Sequence, residues 1–343
     1  MSVRILFSTA LLLAVTGCGG DPGEAVDELF AAYDDQSLPG AAVLVIKDGQ
    51  KVLTKTYGVV DIATKQPVTS ASNFRLASIT KQFTAMAILM LVEEGKLALD
   101  TTLGALYPEA NEYARNFTIQ QILRHQTGMP DYEPMVPADG EQAHDDDVLA
   151  LMLNAEEAYF PAGSEYRYSN SGYAVLAMIV EKQSGMSFAE FLDSRIFTPL
   201  GMDGTVAFVK DVTTVDNRAY GYTVTEAGVE FTDQSAWSAV LGDGGVYSSL
   251  DDLYTWDQSL YRDELISPAL KAEMFTPTLE FYGYGWRIDE FEGSLRQRHS
   301  GSTSGFRNYI QRMPDEKLTV IVLTNRAEPD VRGLGEEVAR LFL

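Results

Sequence analysis

A chain of 343 residues, 45% hydrophobic and 22% charged, can bury a large core and is not a disordered polymer. Its 49 acidic residues outnumber 26 basic ones, for a formal charge of −23, so nucleic-acid phosphates and anionic lipid headgroups are repelled and neither is an expected ligand. A single cysteine excludes an intrachain disulfide.

The first 17 residues read as an export signal: Arg4, the mostly apolar run Ile5 to Val15, then small residues. That run, about eleven residues, is too short to span a bilayer as a permanent helix, and elsewhere no apolar run reaches the ~18 residues needed. Val15-Thr16-Gly17-Cys18 resembles a bacterial lipobox, which implies cleavage before Cys18 and lipidation of that residue. Such a mature chain loses only Arg4 among its charged groups, leaving 25 basic against 49 acidic residues and a charge of −24. Residues 18–23 then form a short tether. The expected location is the bacterial cell envelope, at the membrane through a lipid anchor. Gly19, where an aspartate favours inner-membrane retention, points to the periplasmic face of the outer membrane if the host is Gram-negative.

Glu24 to Tyr33 carries Val26, Leu29, Phe30 and Tyr33 at helical spacing. Ala41 to Lys47 and Val52 to Val60 read as strands of a hairpin turning at Asp48-Gly49-Gln50. Ile79 to Glu94 predicts a long apolar helix closed by Gly95. Short helices follow at 118–124, 146–153, 172–184 and 188–197, separated by prolines and glycines, with Asp145-Asp146-Asp147 expected on a solvated face. Strand patterns return at 284–289, 306–313 and 317–324, and Leu318 to Leu323 has the near-continuous apolar character of a buried central strand. A helix is expected from Val331 to Phe342. The order predicts one α+β domain over 24–343, with a sheet part (about 24–77 and 205–343) and an inserted helical part (about 78–204).

Three short motifs carry chemistry. Ser78-Ile79-Thr80-Lys81 comes first, Tyr168-Ser169-Asn170 begins 87 residues past Lys81, and His299-Ser300-Gly301 begins 129 past Asn170. A serine hydroxyl attacks well only when a base takes its proton. Lys81, three residues on, falls on the same helical face, and Phe83 and Met86 would desolvate its amine and favour the neutral form. The start of a helix also places unpaired N–H groups beside Ser78, suited to an oxyanion. Tyr168 can pass a proton if nearby positive charge lowers its pKa, and Asn170 can fix both Lys81 and a substrate amide. Gly301 allows close backbone approach, and an N–H beside it would complete an oxyanion hole with that of Ser78. Singly, each motif also reads as an ordinary cap or packed side chain; a Ser-x-x-Lys match arises by chance about once in 300 residues. Order and spacing together point to acyl-serine chemistry.

In that order the motifs resemble the serine β-lactamase and penicillin-binding protein superfamily, in the branch of class C β-lactamases, DD-carboxypeptidases and related esterases. Leu123-Arg124-His125-Gln126-Thr127-Gly128-Met129-Pro130 is similar to that family's leucine-x-His-Thr-Ser-Gly-Leu-Pro segment, and Pro161-Ala162-Gly163 and Gly242-Asp243-Gly244-Gly245 are family-like too. The resemblance implies a central antiparallel sheet flanked by helices plus an all-helical subdomain. It implies Ser78 as nucleophile, Lys81 as its base, Tyr168 as second acid/base group and Asn170 as a positioning residue. Ser302 would supply the second oxyanion N–H and Tyr132 a polar pocket wall, and His299 would take the place that usually holds lysine in β-lactamases. A histidine there, partly charged near neutral pH, would hold a substrate carboxylate less firmly, which favours a DD-carboxypeptidase-like or esterase-like hydrolase over an efficient β-lactamase. Substrates open at this point are wall-type D-amino-acid peptides, β-lactams and small esters, and the alternative is a penicillin- or wall-peptide-binding protein without turnover. His125 reads as structural and His144 as part of an acidic loop. The chain has no H-E-x-x-H, G-x-S-x-G, Walker loop or G-x-G-x-x-G, so no metal or cofactor is expected.

Overall fold

Ala41–Lys47 has no polar face, so a strand built from it needs cover on both sides. In the computed structural model, which describes residues 20–343, it lies inside a six-stranded sheet. The spatial order is Arg287–Phe291, Ser294–Thr303, Phe306–Met313, Leu318–Thr324, Ala41–Lys47, Gln50–Tyr57, antiparallel throughout. Ala41 pairs with Thr324 and Lys47 with Leu318, so the first strand lies beside the last. Alternate residues enter opposite cores. Ala42, Leu44 and Ile46 join Ile321, Leu323 and the apolar residues of helix Lys81–Glu93. Val43 and Val45 join Val320, Val322 and the terminal helices Pro22–Leu29 and Val331–Phe342 through Val26 and Val338. Helix Lys81–Glu93 is buried on every face from Lys81 to Leu91, as a helix at the centre of a large core must be.

Several predicted boundaries move for local reasons. The second hairpin strand ends at Tyr57 because Gly58 turns with φ +65°, and a side chain there would stand 2.7 Å from the Gly40 Cα. The long helix begins as a 3-10 turn, Ala77–Thr80, before Lys81–Glu93. The expected helix at 188–197 is Phe188–Leu192 followed by a π-helical turn, Asp193–Phe197. Strand Ser294–Thr303 was not expected over most of its length: its buried residues Arg296, Gln297, His299 and Gly301 are polar or small, so no apolar alternation marks it. Asp145 departs from its acidic run. Asp146 and Asp147 are exposed, whereas Asp145 is buried at the start of helix Asp145–Asn154 and accepts N–H bonds from Leu241 (2.7 Å) and Gly242 (2.9 Å). The predicted export signal and Cys18 lie outside the described residues, among which no helix is long and apolar enough to cross a membrane.

Candidate active site

Ser78 lies in the 3-10 turn that feeds the buried helix. Ala77 before it adopts φ +50°, a left-handed conformation costing a non-glycine residue about 1–2 kcal/mol, so the surrounding packing holds this turn in place. Lys81 is fully buried. Its Nζ lies 3.1 Å from Ser78 Oγ, 2.8 Å from Asn170 Oδ1 and 2.8 Å from the Asp243 carbonyl oxygen. As an ammonium it donates to all three. As a neutral amine its two N–H groups still serve Asn170 and the Asp243 carbonyl, both obligatory acceptors, and the lone pair is left facing the Ser78 hydroxyl. Burial pushes Lys81 down to about 8, against the pull of the Asp243 and Glu133 carboxylates, so the neutral form is accessible near neutral pH.

Asn170 opens helix Asn170–Ser184 behind the N-cap Ser169, whose side chain accepts from the Gly172 N–H. Its Nδ2 donates to Glu133 Oε1, so both ends of the amide are engaged. The ring of Tyr168 lies 4.9 Å from Lys81 Nζ. Sequence reasoning allowed a lowered Tyr168 pKa; the structure reverses the direction. Burial raises it above the ordinary tyrosine value, and the opposing interaction with Ser78 is smaller. The phenol is therefore a proton donor in the resting site, and its oxygen is buried without a hydrogen-bond partner among the described residues.

The third motif divides in two. Gly301 lies against the Ser78 turn: a Cβ there would stand 2.0 Å from the Leu76 carbonyl oxygen, so only glycine lets strand Ser294–Thr303 come this close. Ser302 follows at the rim of the cleft, and Ser304 beyond it turns the hairpin with φ +40°. His299 does not line the cleft. It is 3% exposed, Nδ1 bonds to the Ser300 carbonyl (2.7 Å) and Nε2 meets the Tyr282 hydroxyl (3.0 Å). Burial, then the charge of Lys81, pushes it down to about 3, so His299 is neutral near pH 7 rather than partly charged. Tyr132 reaches the cleft wall and donates to Asp243 Oδ2 at 3.2 Å.

The cleft has a volume of about 430 Å³ and brings Ser78, Tyr132, Asn170 and Ser302 together. It also holds three charged residues to which sequence reasoning assigned no role: Arg75, Glu133 and Asp243. The Arg75 guanidinium is engaged by the Gly244 carbonyl, Gln234 Oε1 and the Ser238 carbonyl. Burial raises Asp243 to about 6, opposed by Lys81. A signal for Asp243 existed in its glycine-flanked motif. A side chain at Gly242 would stand 2.3 Å from the Tyr173 carbonyl, so this segment must pack tightly to present its carbonyl to Lys81. Among the described residues no group of three or more His, Cys, Asp or Glu side chains is placed to hold a metal ion.

The family model "Beta-lactamase" matches residues 26–342. The chain is 32% identical over 323 residues to penicillin-binding protein 4* of Bacillus subtilis strain 168, covering 88% of this chain and 71% of that protein. It is 28% identical over 299 residues to a D-aminopeptidase of Brucella canis, covering 84% of this chain but 56% of that longer protein. Among solved structures, an octameric penicillin-binding protein homologue from Pyrococcus abyssi superposes with a TM-score of 0.80 at 29% identity, covering 94% of this chain and 76% of that one.

Proposed function

The chain belongs to the beta-lactamase family of serine hydrolases, and from that membership we propose that it cleaves amide or ester bonds through an acyl-Ser78 intermediate. The observation that carries this reading is the 3.1 Å contact between Ser78 Oγ and a buried Lys81 amine whose other two partners are fixed acceptors. In the proposed cycle neutral Lys81 takes the Ser78 proton as Oγ bonds to the scissile carbonyl carbon. The carbonyl oxygen becomes an oxyanion held by the N–H groups of Ser78 and Ser302. Collapse breaks the bond to the leaving group, which receives the Tyr168 proton; Lys81 returns its proton to Tyr168. Water then attacks the ester and frees Ser78.

The charges of the cleft support a substrate with a free amine. Glu133 and Asp243 put two carboxylates on the cleft wall against one cation, Arg75, whose three nitrogens already serve protein acceptors, and His299 is neutral, so the charge of the lining favours a cationic group. D-Aminoacyl amides or peptides with an unblocked amino end fit this better than a carboxypeptidase substrate, in keeping with the D-aminopeptidase relative. We place the enzyme in the cell envelope, anchored through lipidated Cys18; Cys18→Ala should move it out of the membrane fraction, and unchanged partitioning would sink that placement.

Intact-mass spectrometry after exposure to a β-lactam, a D-Ala-D-Ala peptide, a D-amino-acid amide with and without N-acetylation, and a short-chain ester tests the whole reading. The expected result is a transient adduct on wild type and none on Ser78→Ala, with the free amine favoured over its acetylated form. Full activity of Ser78→Ala would refute the mechanism. Faster cleavage of the acetylated amide would refute the substrate preference alone.

A further inference from the structure

Segment 123–130 holds the loop that delivers Tyr168, and the bonds run in step along it. The Tyr159 N–H donates to the Gly128 carbonyl (2.8 Å), Gly163 N–H to Gln126 (2.7 Å) and Arg167 N–H to His125 (2.9 Å). The Ser169 N–H then donates to the His125 ring at Nδ1, 3.1 Å away. One residue therefore holds the chain before and after Tyr168, at the 166–167 peptide through its carbonyl and at the 168–169 peptide through its ring. The His125 ring also packs 4.4 Å from the Tyr168 ring and 4.5 Å from that of Tyr282.

Two features make histidine suited to the place. Its backbone has φ +56°, a region where histidine and asparagine are enriched among non-glycine residues. The ring is 1% exposed, and an Nδ1 that accepts a hydrogen bond requires the neutral tautomer with its proton on Nε2. Burial, aided by the nearby charge of Lys81, keeps His125 neutral.

We propose that His125 is a positioning residue for the reaction: gripping residues 167 and 169, it holds the Tyr168 phenol in register with Ser78 and Lys81 without touching substrate. The proposal rests on the acyl-serine reading above. Without the ring, the Ser169 N–H loses its acceptor and Tyr168 is free to shift. A misplacement on the order of 1 Å costs about 10²-fold in rate.

The test compares His125→Ala and His125→Asn, each in wild-type and Tyr168→Phe backgrounds, by the rate of acyl-Ser78 formation and by thermal midpoint. The asparagine carboxamide oxygen can stand where Nδ1 stood, and asparagine tolerates positive φ. His125→Ala should lower kcat for acylation about 10²-fold with KM little changed, and His125→Asn should recover to within about tenfold of wild type. On Tyr168→Phe, His125→Ala should add less than about threefold, because both changes remove the same contribution. Wild-type rates in His125→Ala would overturn the proposal. So would a folded His125→Asn as slow as His125→Ala, a full further loss on Tyr168→Phe, or failure of both variants to fold. Acylation surviving Ser78→Ala would instead refute the acyl-serine reading itself.

Discussion

If neutral Lys81 is the base, the pH profile of acylation follows its titration, and Asp243 controls where that titration falls. Burial moves Lys81 down towards neutral pH, so the fraction of free enzyme with the neutral amine rises steeply as the pH passes through the neutral to mildly alkaline range. On a substrate without titrating groups, kcat/KM should rise about tenfold per unit below pH 7 and level off above 8. Asp243, raised by burial to about 6, is ionised over most of this rise and favours the ammonium. Asp243→Asn keeps the backbone carbonyl that binds Lys81 and an oxygen for the Tyr132 hydroxyl, and removes only the charge. The Lys81 limb should then move to lower pH. A charge beyond about 4 Å at an effective dielectric near 20 is worth at most about 4 kcal/mol, which bounds the move at about three units. Stopped-flow acylation with a neutral ester between pH 5.5 and 9.5, corrected for background hydrolysis, reads both effects. A rate still rising steeply at pH 9.5 would refute a Lys81 base shifted down by burial. An alkaline move in Asp243→Asn would refute the electrostatic account.

Three further changes test the site and its support. Tyr168→Phe should slow amide cleavage at least about tenfold more than cleavage of an activated ester, because an amine needs the phenol proton to leave and a phenolate does not; equal losses would remove Tyr168 from the acid role. Gly301→Ala places a methyl 2.0 Å from a backbone oxygen that cannot rotate away, so the strand must withdraw and acylation should fall by about 10²-fold or more. A folded Gly301→Ala with normal burst kinetics would show that the close approach is unnecessary. Asp257→Ala leaves Arg312 buried without its 2.6 Å carboxylate partner and removes the ion pair between helix Leu250–Ser259 and the sheet, a loss of about 3–5 kcal/mol in urea unfolding. A change under about 1 kcal/mol would refute the importance of that pair.

What could be read from the sequence divides by physical cause. Strands Ala41–Lys47 and Leu318–Thr324 were legible because burial on both faces leaves an almost unbroken apolar run. Ser78 and Lys81 were legible because a three-residue step near a helix start fixes their proximity before any tertiary contact forms. The third partner of Lys81 was legible only as a glycine-flanked segment, since the Asp243 carbonyl is a backbone atom that any residue could supply. His299 shows a different limit. Its residue type was plain, but strand register turns it to the buried side, and burial removes the charge that gave it a substrate role. Glu133 was missed because a lone glutamate between Tyr132 and Pro134 has no pattern; only folding brings it to Asn170.

Burial also assigns the proton roles. The same low-dielectric surroundings disfavour charge on Lys81 and on Tyr168, but the two groups charge in opposite directions. Lys81 moves down and gains a usable lone pair; Tyr168 moves up and keeps its proton. Two groups that would both be protonated at pH 7 in water thus become an accessible base and a firm acid, 4.9 Å apart from amine to ring. A charged His299 would add a second cation behind this pair and disfavour the Lys81 ammonium further, but it would also make Tyr168 easier to ionise and blur the distinction. Keeping His299 neutral, with Nε2 facing the Tyr282 hydroxyl, preserves the separation. In this site the histidine contributes most by carrying no charge.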